Sequence, residues 1–202
     1  MSPDLELETQ NLEFPTLPDQ LEIWQESLGW QPSAQQQRQF QRLYQLILAG
    51  NRQLNLTRIT DPIEFWEKHL WDSLRGIWGI GEDSLHSSAP AVVRAIDIGT
   101  GAGFPGIPIA LLYPNWQMTL LDSTHKKMAF LATVLSELGL GNGSVLCDRA
   151  EQVGRTRQHR EQYDRALLRA VAPAAVCAEY ALPLLRVGGC AILYRGKWSD
   201  AE

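Results

Sequence analysis

From residue 92 onward the chain reads as short apolar runs separated by amphipathic stretches and glycine turns. These runs predict strands over 92–98, 117–122, 144–148, 164–169 and 190–195. Between them the pattern predicts helices from 105, over 124–138 closed by Gly139, and over 173–186. Apolar strands that alternate with helices build a parallel sheet covered on both faces, so the expected fold class is α/β, doubly wound and Rossmann-like. Right-handed crossovers then place the first strand centrally, with the loop after it at the carboxyl edge, where such sheets bind ligands. The first part of the chain carries helical spacing instead. Ser33 and Gln36 form a capping box ahead of Phe40, Leu43, Tyr44, Ile47 and Leu48. Asp61, Pro62 and Glu64 open a further helix, with Ile63, Trp66, Leu70, Leu74 and Ile77 expected inward. We read 19–80 as a helical cap and 76–90 as a Gly- and Ser-rich loop. Residues 91–202 are the core that shares one compact domain with the cap, and 1–18, with Pro3, Pro15 and Pro18 among acids, are a flexible acidic N-terminus.

The stretch from Ala95 to Gly106 carries the first chemical signal. An apolar strand holding Asp97 runs into Gly99, Gly101, Gly103 and Gly106, residues that permit positive φ and close approach of a ligand, ahead of a helix expected to offer free N–H groups. Gly101, Gly103 and Gly106 spell a dinucleotide pattern, which needs a pyrophosphate on the helix start. Asp97 would repel a pyrophosphate and attract an ammonium or a sulfonium, both of which S-adenosylmethionine carries. Asp122 ends the next apolar run, where it would accept both hydroxyls of a ribose. The plainer reading of Asp97 is a helix cap.

Composition narrows the class. The chain has 202 residues, a net charge of −5, and no apolar run long enough to cross a bilayer. Its first residues lack the pattern of a secretory signal, so a cytoplasmic protein is expected. Cys147, Cys177 and Cys190 show no paired spacing and read as small buried hydrophobes, and the histidines show no metal spacing, so no metal is expected. Charge is unevenly spread: residues 1–37 hold seven acids and no Lys or Arg, whereas residues 123–198 hold eleven basic residues against six acids. Lys126, Lys127, Arg155, Arg157, Arg160, Arg195 and Lys197 are candidate RNA phosphate contacts, although each alone reads as a solvated surface charge.

Three further blocks, Asn55-Leu56-Thr57, His69-Leu70-Trp71-Asp72-Ser73-Leu74 and Gly99 to Pro108, join Leu121-Asp122-Ser123, Lys126-Lys127, Arg149-Ala150-Glu151 and Leu168-Arg169-Ala170. In this order, from about residue 33 onward, they resemble the bacterial ribosomal RNA small subunit methyltransferase G family, also called glucose-inhibited division protein B. The resemblance implies a class I S-adenosylmethionine-dependent methyltransferase fold and transfer of a methyl group to guanine N7 in 16S ribosomal RNA. The partner would be that RNA or a small-subunit precursor, with the protein acting as a monomer. It further implies that Gly99 and Phe104 line the methionine and adenosyl part of the pocket, Asp122, Ser123 and Thr124 the ribose, and Ala150 and Glu151 the adenine. Arg169 would also bind cofactor, and we expect its guanidinium to hold the methionine carboxylate. Guanine N7 bears a lone pair and no proton, so no catalytic acid or base is required. His69, Asp72 and Ser73 share a helix face, and two readings stand: Asp72, with His69, positions the guanine, or the trio pins the cap to the sheet. The family continues with a helix and two strands beyond the position of Tyr194, so the fifth strand is expected to be an exposed apolar edge, with cofactor binding surviving better than stability. Competing readings are a methyltransferase for a small molecule or protein, a nicotinamide oxidoreductase, and a non-catalytic RNA-binding module.

Overall fold

The apolar runs form five strands: β1 (Val93–Ile98), β2 (Trp116–Asp122), β3 (Gly143–Cys147), β4 (Tyr163–Arg169) and β5 (Leu185–Tyr194). The computed structural model describes residues 14–80 and 92–196, so most of the acidic N-terminus, residues 81–90 of the predicted loop, and Lys197 lie outside the described residues. The strands pair in the order β3-β2-β1-β4-β5, every pairing parallel. The chain steps outward from β1 to β3 and returns to the other side of β1 for β4. The carboxyl ends of β1 and β4 therefore flank the switch point where a ligand crevice forms.

Neighbouring strand residues point to opposite faces, and two cores follow from that pleat. On one face Ala95, Met118, Leu120 and Leu167 pack with α4 (Gly106–Leu112) and α5 (His125–Glu137). The same core takes in Phe40 and Tyr44 of α2 (Ala34–Leu54) and Phe65 and Leu70 of α3 (62–75), with α1 (Leu21–Leu28) alongside. Cap and sheet face thus form one continuous apolar cluster. On the other face Ile96, Ile98, Leu121 and Leu168 pack against Val153 of α6 (Ala150–Val153) and against Cys177 and Ala181 of α7 (Ala174–Ala181). The capping box of α2 forms as the pattern predicts: Gln36 N donates to Ser33 Oγ at 3.3 Å, and Ser33 N donates to Gln36 Oε1 at 2.9 Å. Residues 14–18, assigned to the flexible N-terminus, lie against α2, where Gln41 accepts from Leu17 N at 2.8 Å and donates to Pro15 O at 3.1 Å.

The structure corrects several details. Helix α7 ends at Ala181 rather than 186, because Pro183 cannot continue it, and β5 begins at Leu185, five residues earlier than predicted. Ile63 faces solvent at 57% exposure, although the helical spacing places it inward. Helix α3 is π-helical over Trp66–Trp71, and the wider turn rotates the buried stripe onto Phe65, Trp66, His69 and Leu70. Cys190 is exposed and Cys147 half-buried, so only Cys177 is a buried small hydrophobe. In β5, an edge strand among the described residues, Ile192 is buried and Val187 exposed.

Helices α2 and α5 cross at Gly50, where a Cβ would lie 2.3 Å from Phe130 Cε2 and 3.0 Å from Leu56 Cδ1. Alanine gains about 1 kcal/mol of helix propensity at such a site, but overpacking against a fully buried ring costs about 1–3 kcal/mol. Gly50→Ala is expected to lower stability by up to about 2 kcal/mol, read as a lower urea midpoint at unchanged slope.

Candidate active site at the carboxyl edge of the sheet

The turn after β1 takes left-handed backbone at Gly99 (φ 70°), Gly101 (φ 59°) and Gly103 (φ 94°). Gly99 N and Thr100 N donate to Leu121 O at 2.8 and 3.0 Å, which ties the turn to the end of β2. Asp97 is fully buried beneath it. One of its oxygens, Oδ2, accepts from Thr100 Oγ1 at 2.7 Å and from Gly106 N at 2.8 Å, while Oδ1 is buried without a partner. The first N–H of α4, expected to be free for a ligand, is therefore already taken. Gly106 is obligatory there, since a Cβ would lie 2.9 Å from the same carboxylate oxygen. Burial pushes the Asp97 carboxyl up to about 6, against the two hydrogen bonds and the Arg169 charge.

Beside the turn lies a cleft of about 170 Å³ lined by Gly99, Asp122, Ser123, Ala150 and Glu151, all candidates from the sequence. Asp122 braces it: Oδ2 accepts from Gly101 N at 3.2 Å and Oδ1 from Thr124 N at 2.9 Å. The lining also includes Asp148, Val171 and Tyr180, which sequence reasoning missed. Tyr180 arrives from α7, distant in sequence and in no motif. Val171 follows Ala170, whose φ of 55° is unusual for a residue with a side chain and is the signal only a backbone shows. A Cβ on Gly99 would meet Val171 Cγ2 at 2.8 Å, so glycine is needed where β1 and β4 part. Asp97, Gly101, Gly103, Phe104, Thr124 and Arg169 do not line this cleft.

Phe104 instead faces the cap. Its ring stacks on His69 at 4.3 Å between centroids and 3° between planes, with Phe65 edge-on at 5.5 Å. His69 Nδ1 lies 3.1 Å from the Arg169 guanidinium and Nε2 2.9 Å from Thr57 Oγ1. A guanidinium only donates, so Nδ1 accepts, and the ring proton sits on Nε2 and is donated to Thr57. Burial, with the Arg169 charge, lowers His69 to about 3. The Asn55-Leu56-Thr57 block serves this contact: Asn51 accepts from Thr57 N and donates to Thr57 O, both at 2.9 Å, which fixes the hydroxyl. Arg169 also donates to Lys68 O at 2.6 Å, sits 3.6 Å from Asp72 Oδ2 and stands over the Phe104 ring at 5.6 Å. Ser73 donates to His69 O at 2.6 Å, and its carbonyl accepts from Tyr194 Oη at 2.7 Å. His69 and Ser73 are thus pins between cap, turn and β5, whereas the Asp72 side chain keeps 48% exposure.

Residues 36–202 match the family described as rRNA small subunit methyltransferase G. A ribosomal RNA small subunit methyltransferase G of Trichormus variabilis is 60% identical over 186 residues, 92% of this chain and 75% of that protein. One of Nostoc punctiforme is 61% identical over the same span and shares. The chain belongs to the rRNA small subunit methyltransferase G family. A solved structure of a Corynebacterium glutamicum protein shares the fold, with a TM-score of 0.51 at 20% identity over 86% of this chain and 71% of that one. The fold is class I methyltransferase and the family's methyl donor is S-adenosylmethionine.

Within this family member the basic candidates separate into two groups. Lys126 and Lys127 open α5 and Arg195 follows β5, all at the carboxyl edge, where Arg195 donates to Ala172 O at 3.0 Å. Arg155, Arg157 and Arg160 lie between α6 and β4, on the path to the opposite edge, and Arg160 is 3.5 Å from Glu161. Among the described residues no group of three or more His, Cys, Asp or Glu could hold a metal, and no helix is long and apolar enough to cross a membrane.

His69 and Asp97 set opposing pH dependences. Between about 3 and 6.5 the unfolded chain binds the His69 proton and the folded chain does not, so this group alone makes stability fall on acidification. Between 3.8 and about 6 the folded chain holds the Asp97 proton and the unfolded chain does not, so stability lost above that range returns as pH falls. The two slopes oppose each other only between about 3.8 and 6, and outside that window the His69 dependence stands alone. His69→Gln is expected to be less stable than wild type by a few kcal/mol at pH 7, with the gap narrowing as pH falls from 6.5 to 4, read by denaturant unfolding at each pH.

Proposed function

We propose that the chain transfers a methyl group from S-adenosylmethionine to N7 of a guanosine in 16S ribosomal RNA, acting in the cytoplasm on the small subunit or its precursor. The observation that carries this reading is Asp97: its carboxylate fills the start of α4, where a dinucleotide would need to seat its pyrophosphate, and its second oxygen lies uncompensated beneath the glycine turn. A cationic, phosphate-free adenosine cofactor suits that site. Asp122 and Ser123 would hold the ribose hydroxyls, Ala150 and Glu151 would border the adenine, and Tyr180 would cover it. Gly101, above which a Cβ would find only Gly99 O at 3.9 Å, leaves room for the methionine to cross toward the cap. When bound, the cofactor supplies an electrophilic methyl on a sulfonium.

The cap side then receives the guanine. Asp72 would accept from its N1–H and N2–H₂ groups, turning N7 toward the turn. N7 carries a lone pair and no proton, so approach and exclusion of water suffice and no general base is needed. His69 accords with that chemistry, because both its nitrogens are engaged and it stays neutral. Arg169, committed to Lys68, His69 and Asp72, is assigned to holding the cap over the turn rather than to clasping the methionine carboxylate.

Undermethylated small subunits incubated with the protein and methyl-labelled S-adenosylmethionine should acquire label at a single guanosine that becomes sensitive to N7-specific strand scission. Label in a small molecule or protein, or on an exocyclic amine, would overturn the reading. Asp122→Ala is expected to weaken S-adenosylhomocysteine binding at least tenfold by calorimetry, with NADH binding to neither form. Asp72→Asn is expected to cut methylation at least tenfold at unchanged S-adenosylhomocysteine affinity. Unchanged methylation and RNA affinity would remove the guanine-reading role of Asp72.

A further inference from the structure

The edge of the sheet opposite the cofactor cleft gathers arginines around the starts of β1, β4 and β5. Arg94 lies with its guanidinium over the Tyr163 ring at 5.4 Å and donates to Gln162 Oε1 at 3.0 Å. His159 bonds the Tyr163 hydroxyl at 2.7 Å, which seats the segment holding Arg155, Arg157 and Arg160 against the same ring. Asp164 accepts from Arg94 N and from Arg186 Nε, drawing β5's first arginine to the cluster. The local acids are already engaged, Asp164 by Arg186 and Glu161 by Arg160. Arg155 and Arg157 are exposed and take part in none of these bonds. The field is felt locally: burial first, and then the Arg94 charge, lower the His159 pKa and favour the neutral ring.

We infer that this amino edge is a second RNA-binding surface, taking sugar–phosphate backbone, separate from the carboxyl edge where the base is methylated. The inference rests on the RNA-methylating reading above. The seven residues of β4 run between the two edges, which at about 3.3 Å per residue sets them roughly 20 Å apart. A substrate that touches both must therefore span at least about six nucleotides of stacked strand at about 3.4 Å each, and the target guanosine with one neighbour reaches only one edge. Phosphate contact fits arginine better than lysine here, because a planar guanidinium engages two phosphate oxygens at once.

The test is the salt dependence of binding to protein-free 16S ribosomal RNA by wild type and by the double variant Arg155→Ala/Arg157→Ala. Each lost phosphate contact lowers the slope of log K against log salt by about 0.7–0.9, so the double variant is expected to lose about 1.5 from the slope and bind roughly tenfold more weakly at low salt. Melting temperature and S-adenosylhomocysteine affinity should be unchanged, KM for the RNA should rise at unchanged kcat, and the matched Arg→Lys pair should restore most of the slope. Equal slopes in wild type and double variant would overturn the inference. So would a loss seen with assembled subunits but not with protein-free RNA, which would assign the surface to a ribosomal protein. A wild type with no salt-sensitive affinity for this RNA would instead sink the functional reading itself.

Discussion

Everything at the carboxyl edge depends on one buried carboxylate. Asp97 is the penultimate residue of β1 and sits between two buried isoleucines, and burying its charge is unfavourable unless hydrogen bonds compensate. The Thr100 hydroxyl and the Gly106 amide do so for one of its oxygens, from either end of the glycine turn, and this fixes the turn's shape. That closure sets the depth of α4, all seven of whose residues are buried, and so the plane on which the cap rests. Asp122 repeats the device one strand over, bridging the turn through Gly101 N to the loop that begins α5. Two acids therefore set the crevice, one from below and one from the side.

The cap is joined to this platform by aromatic and cationic contacts rather than by apolar packing alone. Phe104 offers one face to His69, while Arg169 stands over its ring and reaches Lys68, His69 and Asp72 along a single helix. A histidine held neutral between a donor-only guanidinium and a threonine hydroxyl cannot serve as a base. The cluster accordingly favours a reaction that needs alignment more than proton transfer. The wide π turn of α3 lies in the same stretch, where it brings His69 inward and leaves Asp72 half-exposed.

Much of this was legible in the amino-acid sequence because local chemistry decided it. The parallel strands announced themselves as short apolar runs, Ser33 and Gln36 as a capping box, and Gly99 to Gly106 as a ligand turn. The cleft's Asp122, Ser123, Ala150 and Glu151 followed from strand ends and from the family resemblance. What escaped was non-local. Whether Asp97 faces a ligand or the inside of its own turn depends on the position of Gly106 N nine residues on. Ile63 turned outward because one π turn breaks the 3.6-residue period that spacing assumes. Tyr180 entered the cleft through a crossover, and the basic residues, continuous as composition, were split between two edges by the direction of β4.

The hydroxyl of Tyr194 reaches across 121 positions of sequence to the carbonyl of Ser73, and its ring fills the place a side chain at Gly76 would need. A nascent chain emerges with the cap helices first, yet their partners Phe130, Arg169 and Tyr194 arrive in that order and long afterwards. Contacts so distant along the chain form slowly because a large loop must close before they stabilise anything. The cap is thus synthesised before the sheet on which it packs and consolidated only after its partners on α5, β4 and β5 have emerged, and until β5 has paired its apolar faces are the surface that a chaperone would meet.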